Sequence, residues 1–399
     1  MSKFEASRKL QVHGNLASRG RWAVATLFLV NGFLVGSWAP QIPLVLGRLS
    51  ISETTLGLLI LVFGLGAFVA MPSAGLAMSR YGSRRVLRVV ALVACAGLVP
   101  VVAATDVMTV AVALFVFGAS IGAMDVAMNT NAVVVERRLG RAVMSSSHGF
   151  WSLGGFAGGG LGGLAILHFG HLAHASLASL AAFAMALVAL RHVIADDQVA
   201  PGKRQRLSLP SGAAVYLVGF IALFSMIPEG AVLDWAAIYL RQELDTDIAT
   251  AGLAFSAFSA AMAVMRFVGD SVRSRFGAVT TLRVSSLVAA AGMLTGGIAT
   301  APGLAVAGFA LSGFGIANMV PIAFSAAGNQ PGLSSSAGMS VVTTMGYSGI
   351  LLAPSAIGFI GERTGFAPIF VALSGLLVLV CLMAELARSA DFTTAQPAE

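Results

Sequence analysis

The sequence predicts an all-α polytopic membrane protein, with twelve transmembrane helices in two pseudo-symmetric six-helix bundles. Three observations carry that reading. First, 57% of the 399 residues are hydrophobic and only 10% are charged, against about a quarter charged in soluble domains; the mean hydropathy is +0.88. Second, apolar runs long enough to cross about 30 Å of hydrocarbon recur along the whole chain, six on each side of a polar interval. Third, one short basic turn occurs twice. A shift of 195 positions lays Ser79-Arg80-Tyr81-Gly82 over Ser274-Arg275-Phe276-Gly277, and Arg88 over Arg283. A turn duplicated half a chain apart marks two similar halves joined head to tail.

Residues 1–21 form a polar tail with Lys3, Arg8, Lys9, Arg19 and Arg21. Apolar character then lasts from Trp22 to about Leu46, too long for a signal-peptide core, so the run reads as an uncleaved first span. Further runs fall near 54–78, 86–104, 108–136, 142–167 and 173–193, closing an N-terminal bundle over 22–193. A polar linker over 194–212 follows, with Asp196, Asp197, Pro201, Lys203, Arg204 and Arg206. Runs near 213–240, 248–272, 279–299, 303–327, 333–360 and 366–387 make the C-terminal bundle over 213–387, and 388–399 is a tail. Cys95 and Cys381 sit inside apolar runs and read as small core residues, with no disulfide or metal signal.

Charge supplies the orientation. The side that holds the N-terminal tail, the even-to-odd loops, the linker and the C-terminal tail carries 20 Lys and Arg. The other side carries Arg48, Arg241 and Arg363, and Arg266 is left inside the eighth span. Both termini and the linker are therefore expected to be cytoplasmic. The net charge of +7 is a topogenic signal and a match for anionic membrane lipid, not a nucleic-acid surface.

Polar residues inside spans are costly and are functional candidates by default. Of seventeen acids, only Asp125, Glu229 and Asp234 fall well inside hydrocarbon. In the first span, Asn31, Trp38 and Gln41 recur on one helical face, and Pro40 and Pro43 loosen the outer half. An Asn–Trp–Gln stripe suits a sugar-like or mixed polar solute; helix–helix contact is the competing structural reading, favoured for Gln41. In the fourth span, Asp125 and Asn129 share a face, so a carboxylate with an amide one turn away can bind a proton or a solute hydroxyl. The fifth span places His148, Trp151 and Ser152 within one turn, and an imidazole titrates near neutral pH. Beyond it, Gly154, Gly158 and Gly162 repeat every four residues, which predicts a close helix contact that slides or rocks. His168, His171 and His174 cluster without Cys or acid partners, and no metal site is expected.

In the seventh span, Glu229 lies between Pro228 and Gly230, which predicts a helix broken near the bilayer centre. Such a break frees backbone groups that only a solvated or ligand-lined cavity satisfies. Asp234 lies about 140° round the helix from Glu229, so the two do not both face one narrow site; a functional acid and an ion pair with Arg266 or Arg241 are its two readings. Trp235 and Tyr239 share a face at the outer end, where an aromatic belt is the alternative to a solute surface. Asn318 in the tenth span and Thr344 and Tyr347 in the eleventh add polar groups at mid-depth. A shift of 196 lays Trp151-Ser152 over Tyr347-Ser348, so aromatic–Ser pairs from both halves are candidates for a central solute site.

Gly75, Arg80, Gly82 and Arg84 match the signature loop of the major facilitator superfamily, G-x-x-x-D-R-x-G-R-R, with Ser79 in place of the acid and Ser83 in place of one Arg. Asp270, Arg275 and Gly277 echo the loop in the second half. With the six-plus-six layout, the resemblance covers nearly the whole chain. Ser37-Trp-Ala-Pro, Asp125–Asn129, His148-Gly-Phe-Trp-Ser-Leu-Gly and Glu229-Gly-Ala-x-x-Asp-Trp resemble the YbjJ-type branch of the fucose-permease-like transporters. The resemblance implies a carrier that alternates between inward- and outward-open states, needs no cofactor and is driven by the proton gradient. It also implies an acid in the first or fourth span for proton coupling. Asp125 fits, while the first span offers only Asn31.

The expected function is transport of a small polar solute, sugar-like or a related metabolite, across a bacterial-type inner membrane by proton symport, as a monomer. The alternative is a proton-antiport exporter of drugs or metabolites. Exporters of the family carry a Gly-Pro pair in the fifth span, and Gly154–Gly163 has no proline. No enzyme is expected, because no loop exceeds about twenty residues and no nucleophile–base pair or metal set is present. Asp125, Glu229, Asp234 and His148 are the candidates for proton coupling. Asn31, Trp38, Asn129, His148, Trp151, Ser152, Glu229, Asn318, Thr344 and Tyr347 are the candidates for solute contact.

Overall fold

The computed structural model describes residues 3–139, 143–195, 212–330 and 335–391. The side chains of Ser79, Glu136 and Asp270, most of the linker and the end of the C-terminal tail lie outside the described residues. The chain divides into two compact units, Met1–Ile51 with Leu58–Lys203, and Ser52–Gly57 with Arg204–Glu399. Among the described residues every regular element is helical, and twelve helical stretches are long and apolar enough to cross a membrane.

The first span is α1 (Lys3–Trp38), a 3-10 turn at Ala39–Gln41, and α2 (Ile42–Leu49). The two prolines act there as the sequence suggests: each falls in the first turn of a new segment, where its missing N–H costs nothing. Spans two to six are α3 (Glu53–Tyr81), α4 (Ser83–Ala103), α5 (Val107–Leu139), α6 (Met144–Phe169) and α7 (His171–Leu190). Spans seven to nine are α8 (Ala213–Glu243), α9 (Ile248–Phe276) and α10 (Ala278–Gly297). The tenth is split into α11 (Pro302–Ile316) and α12 (Met319–Gly328), followed by α13 (Ser335–Thr364) and α14 (Ala367–Met383), with a 3-10 helix at Ala384–Ala390.

The internal duplication is written in the backbone. Gly82 and Gly277, 195 positions apart, have φ, ψ of 80°, 152° and 78°, 162° and open α4 and α10. Gly170 and Gly365, at the same separation, have φ of 84° and 76°. These four are the glycines with positive φ among the described residues, a conformation that side chains rarely adopt. The pattern extends to side chains, since the Arg80 guanidinium lies 5.5 Å from the Tyr81 ring and that of Arg275 lies 5.5 Å from the Phe276 ring.

Helix starts outside the hydrocarbon are capped locally. Asp106 accepts from the Thr109 amide (2.9 Å) ahead of α5, and Asp247 accepts from the Ala249 and Thr250 amides (2.7 and 3.0 Å) at α9. These hydrogen bonds, led by the Thr109 and Thr250 amides, hold both carboxyls below the ordinary aspartate range. In the second unit, Arg273 ties the C-terminal 3-10 helix down by donating to Ser325 Oγ (2.7 Å) and the Ala390 carbonyl, and Asp391 accepts from the Ala278 amide at the start of α10.

Two expectations about helix shape are corrected. The seventh span is not broken at Glu229; α8 runs without interruption from Ala213 to Glu243 with Pro228 inside it. A single internal proline strands only the carbonyl four residues earlier, which a packed membrane helix tolerates. The break lies instead in the tenth span, at Ala317–Asn318, with Pro321 in the first turn of α12.

The glycine ladder joins α6 to α1 within the first unit. A Cβ on Gly158 would lie 2.7 Å from the Ser37 nitrogen, and one on Gly36 would lie 2.8 Å from the Gly155 Cα. The two backbones are in contact, so nothing larger than hydrogen fits between them.

Candidate functional site

In the first unit the polar side chains predicted from the first, fourth and fifth spans lie on α1, its continuation at Gln41, α5 and α6. Buried Asn31 is engaged at both ends: its Nδ2 donates to the Ile121 carbonyl (3.2 Å), and its Oδ1 accepts from Trp151 Nε1 (2.9 Å). The Asn31–Trp151 bond fixes the indole plane, so half-buried Trp151 presents a positioned aromatic surface. His148 packs edge-on against Phe28 at 5.0 Å. Half-buried Asp125 shares its face with Asn129, whose Nδ2 donates to the Asp125 carbonyl (2.9 Å) and to its Oδ1 (3.2 Å). Trp38 and Ser152 are fully buried within the unit. Gln41 acts as helix glue: its Nε2 donates to the His171 carbonyl (2.9 Å) and lies 2.8 Å from His174 Nδ1.

The second unit holds the other buried charges. Glu229 on α8 pairs with Arg266 on α9 at 3.7 Å, with 19% and 14% of the two side chains exposed. The ion-pair alternative for Asp234 is thus not the one formed with Arg266. Spacing along one helix cannot reveal which acid a neighbouring helix approaches. Asp234 is 6% exposed and has no hydrogen-bond or ion-pair partner among the described residues. Asn318 sits at the break of the tenth span, 7% exposed, with Nδ2 unpartnered and the carboxamide against Gly269. Tyr347 is half-buried on α13, Thr344 is exposed, and Ser348 bonds its own helix at the Met345 carbonyl (2.7 Å).

Trp235 and Tyr239 form neither an aromatic belt nor an open solute surface. Both are fully buried; Trp235 stacks on Phe366 at 5.2 Å, and the Tyr239 hydroxyl donates to the Gly296 carbonyl (2.9 Å). In the signature loop, Gly75 lies inside α3 with open space beside it, Arg80 is exposed and Arg84 is half-buried.

The family model described as Major Facilitator Superfamily matches residues 24–233 and 218–397. The chain belongs to the major facilitator superfamily. It is therefore an integral membrane transporter of small-molecule solutes and not an enzyme. Among its relatives is an uncharacterized MFS-type transporter of Yersinia pestis, 35% identical over 358 residues, covering 90% of this chain and 93% of the relative. Among solved structures, the D-xylose–proton symporter superposes with a TM-score of 0.72 at 14% identity, covering 91% of this chain and 96% of that one. The nucleoside transporter NupG gives a TM-score of 0.71 at 13% identity, covering 92% and 99%. These likenesses establish the major facilitator fold.

Two features escaped the sequence reading. The Glu229–Arg266 pair had one signal, a single base inside the spans of a chain that keeps its other bases outside them. The Gly170–Gly365 pair was visible at the same 195-residue shift as the signature loops.

Proposed function

We propose that this transporter moves a small polar solute, sugar-like or a related metabolite, across the inner membrane by proton symport, alternating between inward- and outward-open states with both termini in the cytoplasm. The observation that carries the reading is Asp125. It lies inside the Val107–Ala132 span, and the side chain that bonds it is the neutral amide of Asn129. No cation pairs with it among the described residues. A carboxylate in hydrocarbon without a counter-charge is neutralised most simply by a proton. The Asn31–Trp151 arrangement supports a ring-bearing solute, since it offers a fixed indole face for stacking. The quoted motifs support a place in the fucose-permease-like branch. In this reading, Glu229, Asn318 and Tyr347 supply the second unit's solute contacts.

The test has two stages. A thermal-shift screen of the purified protein against sugars, polyols, organic acids and cationic drugs identifies the solute, because a ligand that binds only the folded state raises the melting temperature. Uptake of that solute into proteoliposomes, with and without an inward proton gradient, then measures coupling. Accumulation that needs the gradient is expected; accumulation indifferent to it rejects symport.

A further inference from the structure

We propose that Asp234 is held as a neutral carboxylic acid and is a second proton-carrying group of the transport cycle, separate from the Glu229–Arg266 pair. The transport role rests on the proton-coupled reading above, whereas the protonation state does not.

Four observations point there. Asp234 is 6% exposed, inside the Ala213–Glu243 span, with no partner among the described residues. Its neighbour Glu229 is balanced by Arg266 at 3.7 Å, so the internal base of this unit is committed to another acid. Gly230 lies one turn before Asp234 on the same helical face. Although Gly230 is buried, a Cβ added there would meet no atom within 4 Å, so open space borders the face that carries Asp234. Finally, among the described residues no ion pair is formed to Asp234.

The elements packed against α8 include α9, α11, α12, α13, α14 and the 3-10 helix at Ala384–Ala390, together with the start of α3, where the one titratable group of the Ser52–Gly57 segment, Glu53, accepts from Gln242 (2.9 Å) at the end of α8. Of these, α11 and α12 carry no titratable residue, and α14 carries only Cys381. On α13 the titratable groups are Tyr347, Glu362 and Arg363; Arg363 is drawn to its own helix, donating to the Phe359 carbonyl at 2.6 Å. On α9 they are Arg266, Asp270, Arg273 and Arg275, of which Arg273 is bonded to Ser325 and Ala390. The 3-10 helix holds Glu385 and Arg388, which pair with each other at 2.7 Å. On α8 itself, Tyr216 lies five turns away, Tyr239 is bonded to Gly296, and exposed Arg241 and Glu243 lie about 10 Å or more further along the axis.

A bare carboxylate in this setting bears the full desolvation cost. One proton added to a carboxylate oxygen removes its single negative charge, and its release to the other side restores the charge. Asp125 in the first unit and Asp234 in the second then each carry one proton.

The protonation state is read by infrared absorption of the full chain in liposomes at neutral pH, without solute. The carbonyl stretch of a protonated carboxylic acid is expected in the wild type, persisting in Glu229→Gln and reduced in Asp234→Asn. A spectrum of Asp234→Asn that superimposes on the wild type overturns the proposal. Should Asp234→Asn fail to fold, Asp234→Glu decides, since a shifted band supports the assignment and an unshifted one overturns it. The transport role is read from the proton-to-solute ratio, which falls in Asp234→Asn; an unchanged ratio overturns that role and leaves the symport reading intact.

Discussion

At the scale of single residues, the Glu229–Arg266 pair divides electrostatic cost from electrostatic gain. Two charges at 3.7 Å, each mostly removed from water, compensate one another only while both are present. Arg266→Leu alone should therefore destabilise the protein by about 3 kcal/mol, the lower end for breaking a buried pair because both side chains keep some exposure. The double variant Glu229→Gln with Arg266→Gln should recover most of that loss, as read by thermal unfolding in detergent; a double variant no better than the single would show that the pair is not the cause. Asp125 makes a functional contrast. Asp125→Asn keeps the shape of the side chain and removes its titration, so accumulation against a gradient should fail while exchange of labelled solute across the membrane continues. The acids themselves were legible in the sequence as costly residues in apolar runs. Their partners were not, because periodicity along one helix says which residues share a face and nothing about which helix meets that face.

At the scale of elements, the same limit appears in the glycine ladder of α6. The four-residue spacing of Gly154, Gly158 and Gly162 foretold close helix contact. The partner, α1, came from the structure, where each backbone blocks any side chain on the other. Gly158→Leu should then cost about 3 kcal/mol of stability through overpacking, seen as a lower melting temperature; a variant as stable as the wild type would contradict backbone contact. The α8 break was misjudged because Pro-Glu-Gly looks like a helix end, yet a continuous α8 loses only one hydrogen bond at Pro228. Asp247 supplies a smaller test. Its exposed cap on α9 should be worth about 0.5–1 kcal/mol, reduced by solvent screening. Because hydrogen bonds from Thr250 and Ala249 depress its folded pKa, the contribution is complete above the ordinary aspartate range and fades as pH falls through the depressed value. Asp247→Ala should flatten that acid limb of the stability curve.

At the scale of the whole molecule, the fold was legible because membrane solvent imposes long apolar runs and because the halves repeat. The shift of 195 relates Gly82 to Gly277 and Gly170 to Gly365, and the four share a φ between 76° and 84°. The solute was not legible, since its identity depends on side chains from many spans, each one a short and non-repeating signal. The proposed orientation rests on basic residues, 20 of which the span count assigns to the cytoplasmic side. Single cysteines placed in the 194–212 linker, in a chain lacking Cys95 and Cys381, should react only with reagent from the cytoplasmic side; labelling from outside would invert the topology. The most direct test of the central claim is proton movement caused by solute alone. With proteoliposomes in weakly buffered medium and no imposed gradient, adding the solute found by thermal shift should make the external medium more alkaline, as protons enter with it, and Asp125→Asn should abolish the change. Acidification, or no change in pH while labelled solute enters the vesicles, would contradict proton symport.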